Sequence, residues 1–354
     1  MKIARRKARI VKIGNIRIGG NYPVAIQSMA KTKTADIEST LGQIKDLEAA
    51  GCEIVRLAIK DNADAIALKK IKRRAQLPLV ADIHFNWRLA LAAIDNGADK
   101  IRLNPGNIYK PAEVKEIISA LKSAGIPLRI GVNSGSLKAL NSHRLSMPDR
   151  LVAAGLSYVR MVEKLKFREI VISLKASNAQ DTIAAYEKMS RLCEYPFHLG
   201  VTATGLPLEG AIKSAIAIGA LLLRGIGDTI RVSLTDNPKE EVMAGKFILE
   251  ALGLRRFGPE IISCPTCGRC EVDLVKIVKE LGAKFSTMNY GLSTRPPKVA
   301  VMGCVVNGPG EAREADIGLA FGRNEALLFK NGKPIKKVSY SRCIDAVLRE
   351  MERI

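Results

Sequence analysis

The chain has 354 residues, of which 47% are hydrophobic and 5% aromatic, and it carries a formal net charge of +21. A chain of this length can bury a substantial core, and we expect it to form two domains. The excess positive charge is compatible with a nucleic acid, an acidic protein or an anionic substrate as partner. Because few aromatic side chains are available to stack on bases and the basic residues are dispersed, we expect no nucleic-acid partner.

Seven cysteines are present, and four of them fall between residues 264 and 304. An odd number clustered in this way does not suit the disulfide framework of a secreted protein. The first residues, MKIARRKARIVKIG, are basic but lack the apolar segment of a signal peptide. The longest apolar run, residues 214–223, is too short to cross a bilayer. We therefore expect a cytoplasmic protein with no membrane partner.

Short apolar, β-branched segments alternate with segments of helical periodicity from residue 23 onwards. The predicted strands are residues 23–29, 53–59, 78–84, 99–105, 127–133, 169–175, 197–203 and 228–234. A helical segment follows each strand, and glycines stand where several helices end. Eight strand–helix units in about 255 residues predict an α/β fold of the (β/α)8 TIM-barrel type. An open doubly wound sheet is the alternative, but no G-x-G-x-x-G motif follows the first strand and no Walker A motif is present.

Charged and polar residues lie late in the predicted strands, at the end of a barrel that carries its chemistry. They are Arg56, Arg102, Asn104, Arg129, Asn133, Lys175, Arg231 and Ser233. Any one of these cations could be neutralised by a nearby acid such as Glu53, Asp82 or Asp99. Five cations in apolar strands are explained more economically as a ring around the barrel mouth. Such a ring would bind a ligand with several negative charges, and a diphosphate is the natural candidate.

The strand–helix pattern ends near residues 251–260, where glycine and proline interrupt it. We therefore assign residues 1–257 to a TIM-barrel substrate-binding domain and residues 258–354 to a smaller α+β domain. The predicted elements of the second domain are a helix at 271–285, a strand at 297–303, a hairpin turn at Asn331-Gly332 and a last helix at 341–354.

Three cysteines follow one another at a three-residue spacing at the start of the second domain, in ISCPTCGRCEVD. Cys264, Cys267 and Cys270 would complete a metal site together with Cys304, which lies in MGCVVNGPGE. Both zinc and an iron–sulfur cluster can use four such thiolates. The spacing therefore predicts a metal centre and leaves the metal open. The remaining cysteines are predicted to be inert core residues, and they are Cys52, Cys193 and Cys343.

Motifs in both domains resemble one known family. CPTCGR and GCVVNGPGE, behind a barrel that contains IQSM, IRLNPGN, RIGVNSGSL and HLGVT, closely resemble the bacterial two-domain form of the 4-hydroxy-3-methylbut-2-en-1-yl diphosphate synthase family. The resemblance implies an iron–sulfur oxidoreductase of the methylerythritol phosphate pathway of isoprenoid biosynthesis. Such an enzyme reductively opens and dehydrates 2-C-methyl-D-erythritol 2,4-cyclodiphosphate to 4-hydroxy-3-methylbut-2-enyl diphosphate. The resemblance also implies a homodimer that receives electrons from flavodoxin or ferredoxin.

The same resemblance implies a [4Fe-4S] cluster and assigns its ligands. These would be Cys264, Cys267, Cys304 and the carboxylate of Glu311, with Cys304 and Glu311 at the catalytic centre. Cys270 would then be a bystander, which the spacing alone does not indicate. An oxygen ligand is chemically reasonable, because it can leave and open one iron, whereas four thiolates would close the cluster.

The resemblance assigns the predicted mouth residues to the diphosphate and its ring. They are Arg56, Arg102, Arg129, Asn133, Lys175, Arg231 and Ser233. The chain departs from the family in HLGVTATG, where Ala203 stands in place of a common carboxylate. Either that carboxylate is dispensable here, or Glu209, Asp82 or a water serves instead.

Two other functions stay open on the sequence alone. A basic zinc-binding RNA-binding protein would explain the charge and the thiols but not the cations at the mouth. Another barrel enzyme acting on a phosphorylated substrate, of the pterin-binding or radical type, would explain the mouth. The radical S-adenosylmethionine signature C-x3-C-x2-C is absent, which disfavours the radical type.

Overall fold

Eight parallel strands, each followed by a helix, form the sheet of the first part of the chain. The computed structural model describes residues 3–137, 145–202, 204–286, 288, 296–306, 310, 313 and 315–353. The chain divides into two units, Met1–Arg255 and Arg256–Ile354. No helix in the described ranges is long and apolar enough to span a membrane.

The first unit begins with a hairpin and continues with the strands of the barrel. The hairpin strands are β1 (Val11–Ile13) and β2 (Ile16–Ile18). The barrel strands are β3 (Ala25–Met29), β4 (Ile54–Ile59), β5 (Leu79–Ile83), β6 (Lys100–Leu103), β7 (Leu128–Asn133), β8 (Ile170–Lys175), β9 (His198–Leu199) and β10 (Thr229–Ile230). Hydrogen bonding runs in the order β8-β7-β6-β5-β4-β3-β10-β9. An isolated bridge between Ile172 and Phe197 joins the two outer members. The predicted (β/α)8 barrel is therefore confirmed.

The helices surround this sheet. They are α1 (Ile37–Ala49), α2 (Asn62–Arg74), α3 (Arg88–Asp95), α4 (Pro111–Ala124), α5 (Met147–Lys164), α6 (Ala179–Ser190), α7 (Pro207–Leu223) and α8 (Pro238–Ala251). Local sequence sets where several of them start. Asp36 and Asp61 cap α1 and α2 by accepting a backbone hydrogen bond from the first turn, and proline opens α4, α7 and α8.

The predicted strands 197–203 and 228–234 are shorter in the structure than in the prediction. Gly200 ends β9 with a φ of +159°, and a Cβ built on it would lie 2.6 Å from both the Arg231 carbonyl oxygen and Lys175 Nζ. Only glycine allows the backbone to approach these groups so closely. This close approach explains why glycine stands where β9 ends.

The opposite end of the barrel is covered by the β1–β2 hairpin, which the sequence analysis did not predict. Its apolar residues form one buried cluster with residues from the starts of the barrel strands: Val11, Ile13, Ile18, Ala25, Ile54, Val80 and Val171. All of them are nearly inaccessible to solvent. The hairpin therefore seals the amino-terminal end of the barrel with a dry layer.

In its described residues, the second unit contains a five-stranded mixed sheet and the helices α9 and α10. Its elements are β11 (Glu260–Ser263), α9 (Leu274–Ser286), β12 (Lys298–Met302), β13 (Ile317–Phe321), β14 (Glu325–Lys330), β15 (Lys333–Ser339) and α10 (Cys343–Met351). Strands β11 to β13 are parallel, and β13 to β15 are antiparallel. The predicted hairpin turn is confirmed, since Asn331 and Gly332 both have positive φ between paired Lys330 and Lys333. This is the expected α+β unit.

Candidate functional site

The parallel strands bring the predicted cations together inside the barrel. Arg102 lies opposite Asp82 on β5 and opposite Arg129 on β7, and Asn133 lies opposite Lys175 on β8. Partners in register point to the same face of a sheet, so these side chains share the barrel interior. Four of the five predicted cations are buried, and the side chain of the fifth, Arg231, is only 12% exposed.

Asp82 is the acid at the centre of this group. Its carboxylate lies 3.0 Å from Arg102 Nη1 and 3.6 Å from Arg56 Nε. Burial by itself would raise the pKa of Asp82, but the charges of Arg56 and Arg102 outweigh it and hold that pKa well below the usual range. The group is therefore ionised at neutral pH. That Asp82 serves in place of the missing carboxylate stays a prediction.

The other acids considered above, Glu53 and Asp99 as partners of the cations and Glu209 in place of the missing carboxylate, are paired elsewhere. Glu53 pairs with Arg255 at 2.5 Å, and Asp99 pairs with Lys72 at 2.6 Å. Glu209 is 63% exposed at its side chain and pairs with Lys213 one helical turn along α7. Neutralisation by these acids is thus not the explanation for the cations.

Glu241, which sequence reasoning missed, holds Arg231. It projects from α8 and accepts hydrogen bonds from Arg231 Nε at 3.2 Å and Nη2 at 3.3 Å. Its oxygens also accept from Ser28 Oγ at 3.1 Å and from the Leu234 backbone N–H at 3.2 Å, and Lys31 Nζ lies 3.4 Å away. In the sequence, the only signal of this role was the place of Glu241 next to apolar Val242 on an amphipathic helix.

Positive charge nevertheless remains in excess. No carboxylate in the described parts of the chain lies within 4 Å of Arg129, Lys175 or Lys100. Arg129 is 1% exposed, and its Nε and Nη1 atoms have no hydrogen-bond partner among the described residues. Burial lowers the pKa of Arg56 to about 9, and burial followed by repulsion from Arg129 lowers the pKa of Lys175 well below its usual value. An anion with several charges would relieve this imbalance.

The three predicted polar residues differ in how they contribute, and Asn104 donates from Nδ2 to Ser136 Oγ at 2.8 Å. With the Asn133 amide oriented to satisfy its neighbours, its oxygen accepts from Arg102 Nη2 at 3.2 Å. Ser233 contributes a backbone contact, since its carbonyl oxygen accepts a hydrogen bond from Thr204 Oγ1. Ala203, the position of departure from the family, lies outside the described residues.

In the second unit, strand pairing explains how distant cysteines meet. Cys264 directly follows β11, and Cys304 comes two residues after β12. These strands are parallel neighbours, with Ser263 paired to Val301, so both cysteines leave the same edge of the sheet. The cysteine loop is fastened there, because the Gly303 N–H donates to Cys264 Sγ at 3.3 Å and the Glu271 N–H donates to the Gly303 carbonyl at 2.9 Å.

Gly303 lies between the cysteines and is required by their closeness. A Cβ built on it would lie 2.4 Å from Cys270 Sγ and 3.5 Å from Cys264 Sγ. Cys267 is exposed, whereas Cys264 and Cys270 are half-buried. In the described ranges, no three His, Cys, Asp or Glu side chains are close enough together to hold a metal ion, and Glu311 lies outside those ranges. The donor types and the shared sheet edge suit a thiolate-ligated centre.

The other cysteines are placed mostly as predicted. Cys52 and Cys343 are buried, and burial raises the pKa of the Cys52 thiol to about 12. Cys193 is only half-buried, so its assignment to the core was too simple. Burial also raises the pKa of Cys193 and of Cys343, which keeps both thiols protonated and unreactive at neutral pH.

The fold and these residues define an α/β-barrel protein with a cationic mouth and a separate cysteine-bearing α+β unit. The chain matches two family models, described as the GcpE TIM-barrel domain over residues 8–246 and the GcpE protein C-terminal domain over residues 260–353. It therefore belongs to the GcpE family, the 4-hydroxy-3-methylbut-2-en-1-yl diphosphate synthase family that its motifs resemble.

Curated relatives match the chain over nearly their whole length. A protein of Caldanaerobacter subterraneus subsp. tengcongensis is 51% identical over 352 residues, which covers 99% of this chain and 98% of the relative. A protein of Fusobacterium nucleatum subsp. nucleatum is 52% identical over 342 residues, which covers 96% of this chain and 95% of the relative. Both are named 4-hydroxy-3-methylbut-2-en-1-yl diphosphate synthase (flavodoxin).

Among solved structures, the dihydropteroate synthase of Stenotrophomonas maltophilia with active site-bound imidazole aligns with a TM-score of 0.54. It is 12% identical and covers 70% of this chain and 100% of that chain. An identity this low shows the barrel fold alone.

Proposed function

We propose that this protein reductively opens and dehydrates 2-C-methyl-D-erythritol 2,4-cyclodiphosphate to give 4-hydroxy-3-methylbut-2-enyl diphosphate. Overall, the substrate takes up an electron pair and a pair of protons and releases water. The observation in the structure that carries the proposal is the charge of the barrel mouth. Among the described residues, five cations gather there with Asp82 and Glu241 as their acidic partners, and this excess of positive charge suits a cyclic diphosphate.

Two acids hold the guanidinium groups of the mouth in place. Asp82 fixes Arg56 and Arg102, and Glu241 fixes Arg231 through both of its oxygens. These guanidinium groups therefore need little reordering to grip phosphate oxygens. Arg129 and Lys175 have no acidic partner within 4 Å among the described residues, so we propose that phosphate oxygens of the ligand become their partners. We propose that Asn133 and Ser233 complete the contacts with the ring.

The thiols of the second unit suit an iron–sulfur centre. We propose that Cys264, Cys267, Cys304 and Glu311 hold a [4Fe-4S] cluster, which supplies electrons to the substrate one at a time. The hydrogen bond from the Gly303 N–H to Cys264 Sγ supports this, because such a donor stabilises a thiolate ligand. Cys304 and Glu311 would be the ligands nearest the chemistry, with Cys270 outside the ligand set.

We assign substrate binding to residues 1–257 and cluster binding to residues 258–354, and we propose a homodimer in which each barrel works with the cluster of its partner. The test mixes a cluster-free variant, Cys264→Ser, with a barrel variant, Arg56→Ala with Lys175→Ala. After complete exchange, about a quarter of wild-type activity should return, because half of the dimers have one site without a lesion. Exchange is verified by native mass spectrometry. If exchange is complete and no activity returns, each chain uses its own cluster.

Flavodoxin is the electron donor that we propose, with ferredoxin as the alternative. Both are acidic proteins, and the net charge of +21 would steer them towards this protein. We propose that the protein resides in the cytoplasm, since its cysteines are suited to a reducing compartment.

The direct test uses protein purified without oxygen. Iron and zinc analysis with an absorption spectrum identifies the metal, and turnover is followed with reduced flavodoxin and the cyclic diphosphate. We expect iron, a thiolate-to-iron absorption band, and release of the allylic diphosphate. Stoichiometric zinc without iron, or iron-loaded protein that binds the cyclic diphosphate but never reduces it, would refute the proposed function.

A further inference from the structure

A second polar layer lies inside the barrel, and it shares Arg129 with the residues assigned to the diphosphate. It contains Gln27 on β3, Lys100 on β6, Arg129 on β7 and His198 on β9. Each is at most 1% exposed. Lys100 is paired with Val80, which belongs to the apolar cluster under the β1–β2 hairpin. The layer is therefore closed towards that end of the barrel.

The hydrogen bonding of this layer is incomplete. Lys100 Nζ reaches across the interior, past β4 and β5, to Gln27 Oε1 at 3.4 Å. His198 Nδ1 lies 2.8 Å from Thr229 Oγ1, but its Nε2 atom has no partner among the described residues. The same holds for Gln27 Nε2 and for Nε and Nη1 of Arg129. Several buried nitrogen atoms of one layer therefore lack hydrogen-bond partners among the described residues.

The neighbouring strands present positive charges to Lys100. They are Arg56 on β4 and Arg129 on β7, and His198 on β9 in turn faces Arg129, Lys175 and Lys100. The nearest acids of the barrel, Asp82 and Glu241, are engaged by Arg56, Arg102 and Arg231. Burial, followed by repulsion from Arg129, lowers the pKa of Lys100 well below its usual value. A neutral amine at this place avoids an unpaired buried charge.

A ligand with several negative charges bound above this layer reverses the balance. Its negative charges compensate Arg129 and its neighbours. They also raise the pKa of the buried Lys100 amine and so favour its protonated form. We propose that Lys100 takes up a proton from solvent when the diphosphate binds, so that it acts as a charge-compensating positioning residue beneath the ligand. Only a N–H bond forms, at Nζ. The inference rests on the proposed function to the extent that the ligand is a diphosphate.

Linkage fixes the sign of the effect. A group whose pKa rises on binding takes up protons at pH values between its free and bound pKa. Binding to the wild-type protein should therefore weaken as the pH rises through this window. Below the window Lys100 is already protonated, and above it Lys100 stays neutral in both states.

Isothermal titration calorimetry measures this uptake directly. The oxidised holoenzyme is titrated, without electron donor, with the cyclic diphosphate and separately with inorganic pyrophosphate. The titrations use buffers of different ionisation enthalpy at several pH values from about 6 to 9, all below the ordinary lysine pKa of about 10.4. We expect wild-type protein to take up as much as about one proton per ligand more than Lys100→Met does. Lys69→Met, which changes an exposed lysine on α2, should match the wild type.

Lys100→Met should fold, because it removes an amine that is costly to bury and keeps a similar side-chain volume. Lys100→Gln is the second variant and should show the same loss of uptake. Equal proton uptake in wild type and either Lys100 variant overturns this inference, and so does binding by wild type without proton uptake at any pH. Neither result contradicts the proposed function. If the cyclic diphosphate does not bind while pyrophosphate binds with Lys100-dependent uptake, the proposed function fails and the inference stands.

Discussion

Two neighbouring buried arginines should respond in opposite ways to the same substitution. Arg102 and Arg129 lie side by side on β6 and β7, and both are almost fully buried. Arg102 is paired with Asp82 at 3.0 Å, whereas Arg129 has no acidic partner within 4 Å among the described residues. We predict that Arg129→Met stabilises the ligand-free barrel and that Arg102→Met destabilises it.

The magnitudes follow from the cost of burying charge. Replacing an uncompensated buried cation with an apolar side chain of similar volume should raise the free energy of unfolding by about 1–4 kcal/mol. Removing one partner of a buried ion pair should lower it by about 3 kcal/mol, at the low end of the usual range because Arg56 still faces Asp82 at 3.6 Å. Both variants should bind a diphosphate about 10- to 150-fold more weakly, the loss of one charge-assisted hydrogen bond.

The assay uses the only tryptophan of the chain, Trp87, which lies at the start of α3 in the barrel unit. Its fluorescence during urea denaturation reports the unfolding of the barrel rather than of the second unit. Calorimetry with pyrophosphate gives the affinity. If Arg129→Met is less stable than the wild type by as much as Arg102→Met is, then Arg129 has a compensating partner. The inferred excess of positive charge at the mouth would then be wrong.

Three further outcomes can be checked. Cys264→Ser should lose the iron of the anaerobically purified protein and Cys270→Ser should keep it, and the reverse result would favour a four-thiolate site. Glu241→Gln should lower the free energy of unfolding of the barrel by about 2 kcal/mol, while the same change at exposed Glu240 on the same helix should have an effect below about 0.5 kcal/mol. Because the native pKa of Asp82 is depressed, its stabilising effect is complete above its unfolded pKa of about 3.9 and is lost as the pH falls further. The stability difference between wild type and Asp82→Asn should therefore shrink below about pH 4, and a difference that stays constant down to pH 2 would contradict the ionised pair.

Local sequence determined the order and type of most elements. The alternation of apolar strands with helical segments predicts the barrel, because a parallel strand buried on both faces and an amphipathic helix have different periodicities. The positions of Arg56, Arg102 and Arg129 near the ends of strands also follow from the chain alone, since the side that a strand residue faces depends only on its place in the alternation. The cysteine spacing similarly predicts a metal centre that combines residues 264–270 with Cys304.

The tertiary structure decided which of these groups have partners. Asp82 and Glu241 neutralise mouth cations, while Glu53 and Asp99 pair elsewhere, because the closure of the barrel sets distances between residues far apart in sequence. Parallel pairing of β11 with β12 likewise brings Cys304 to the edge where Cys264 lies. Lys100 is the clearest case, since an amine in a short strand has no special meaning until the fold seals it among other cations. Charge interactions depend on distance and burial, and neither is a local property of the chain.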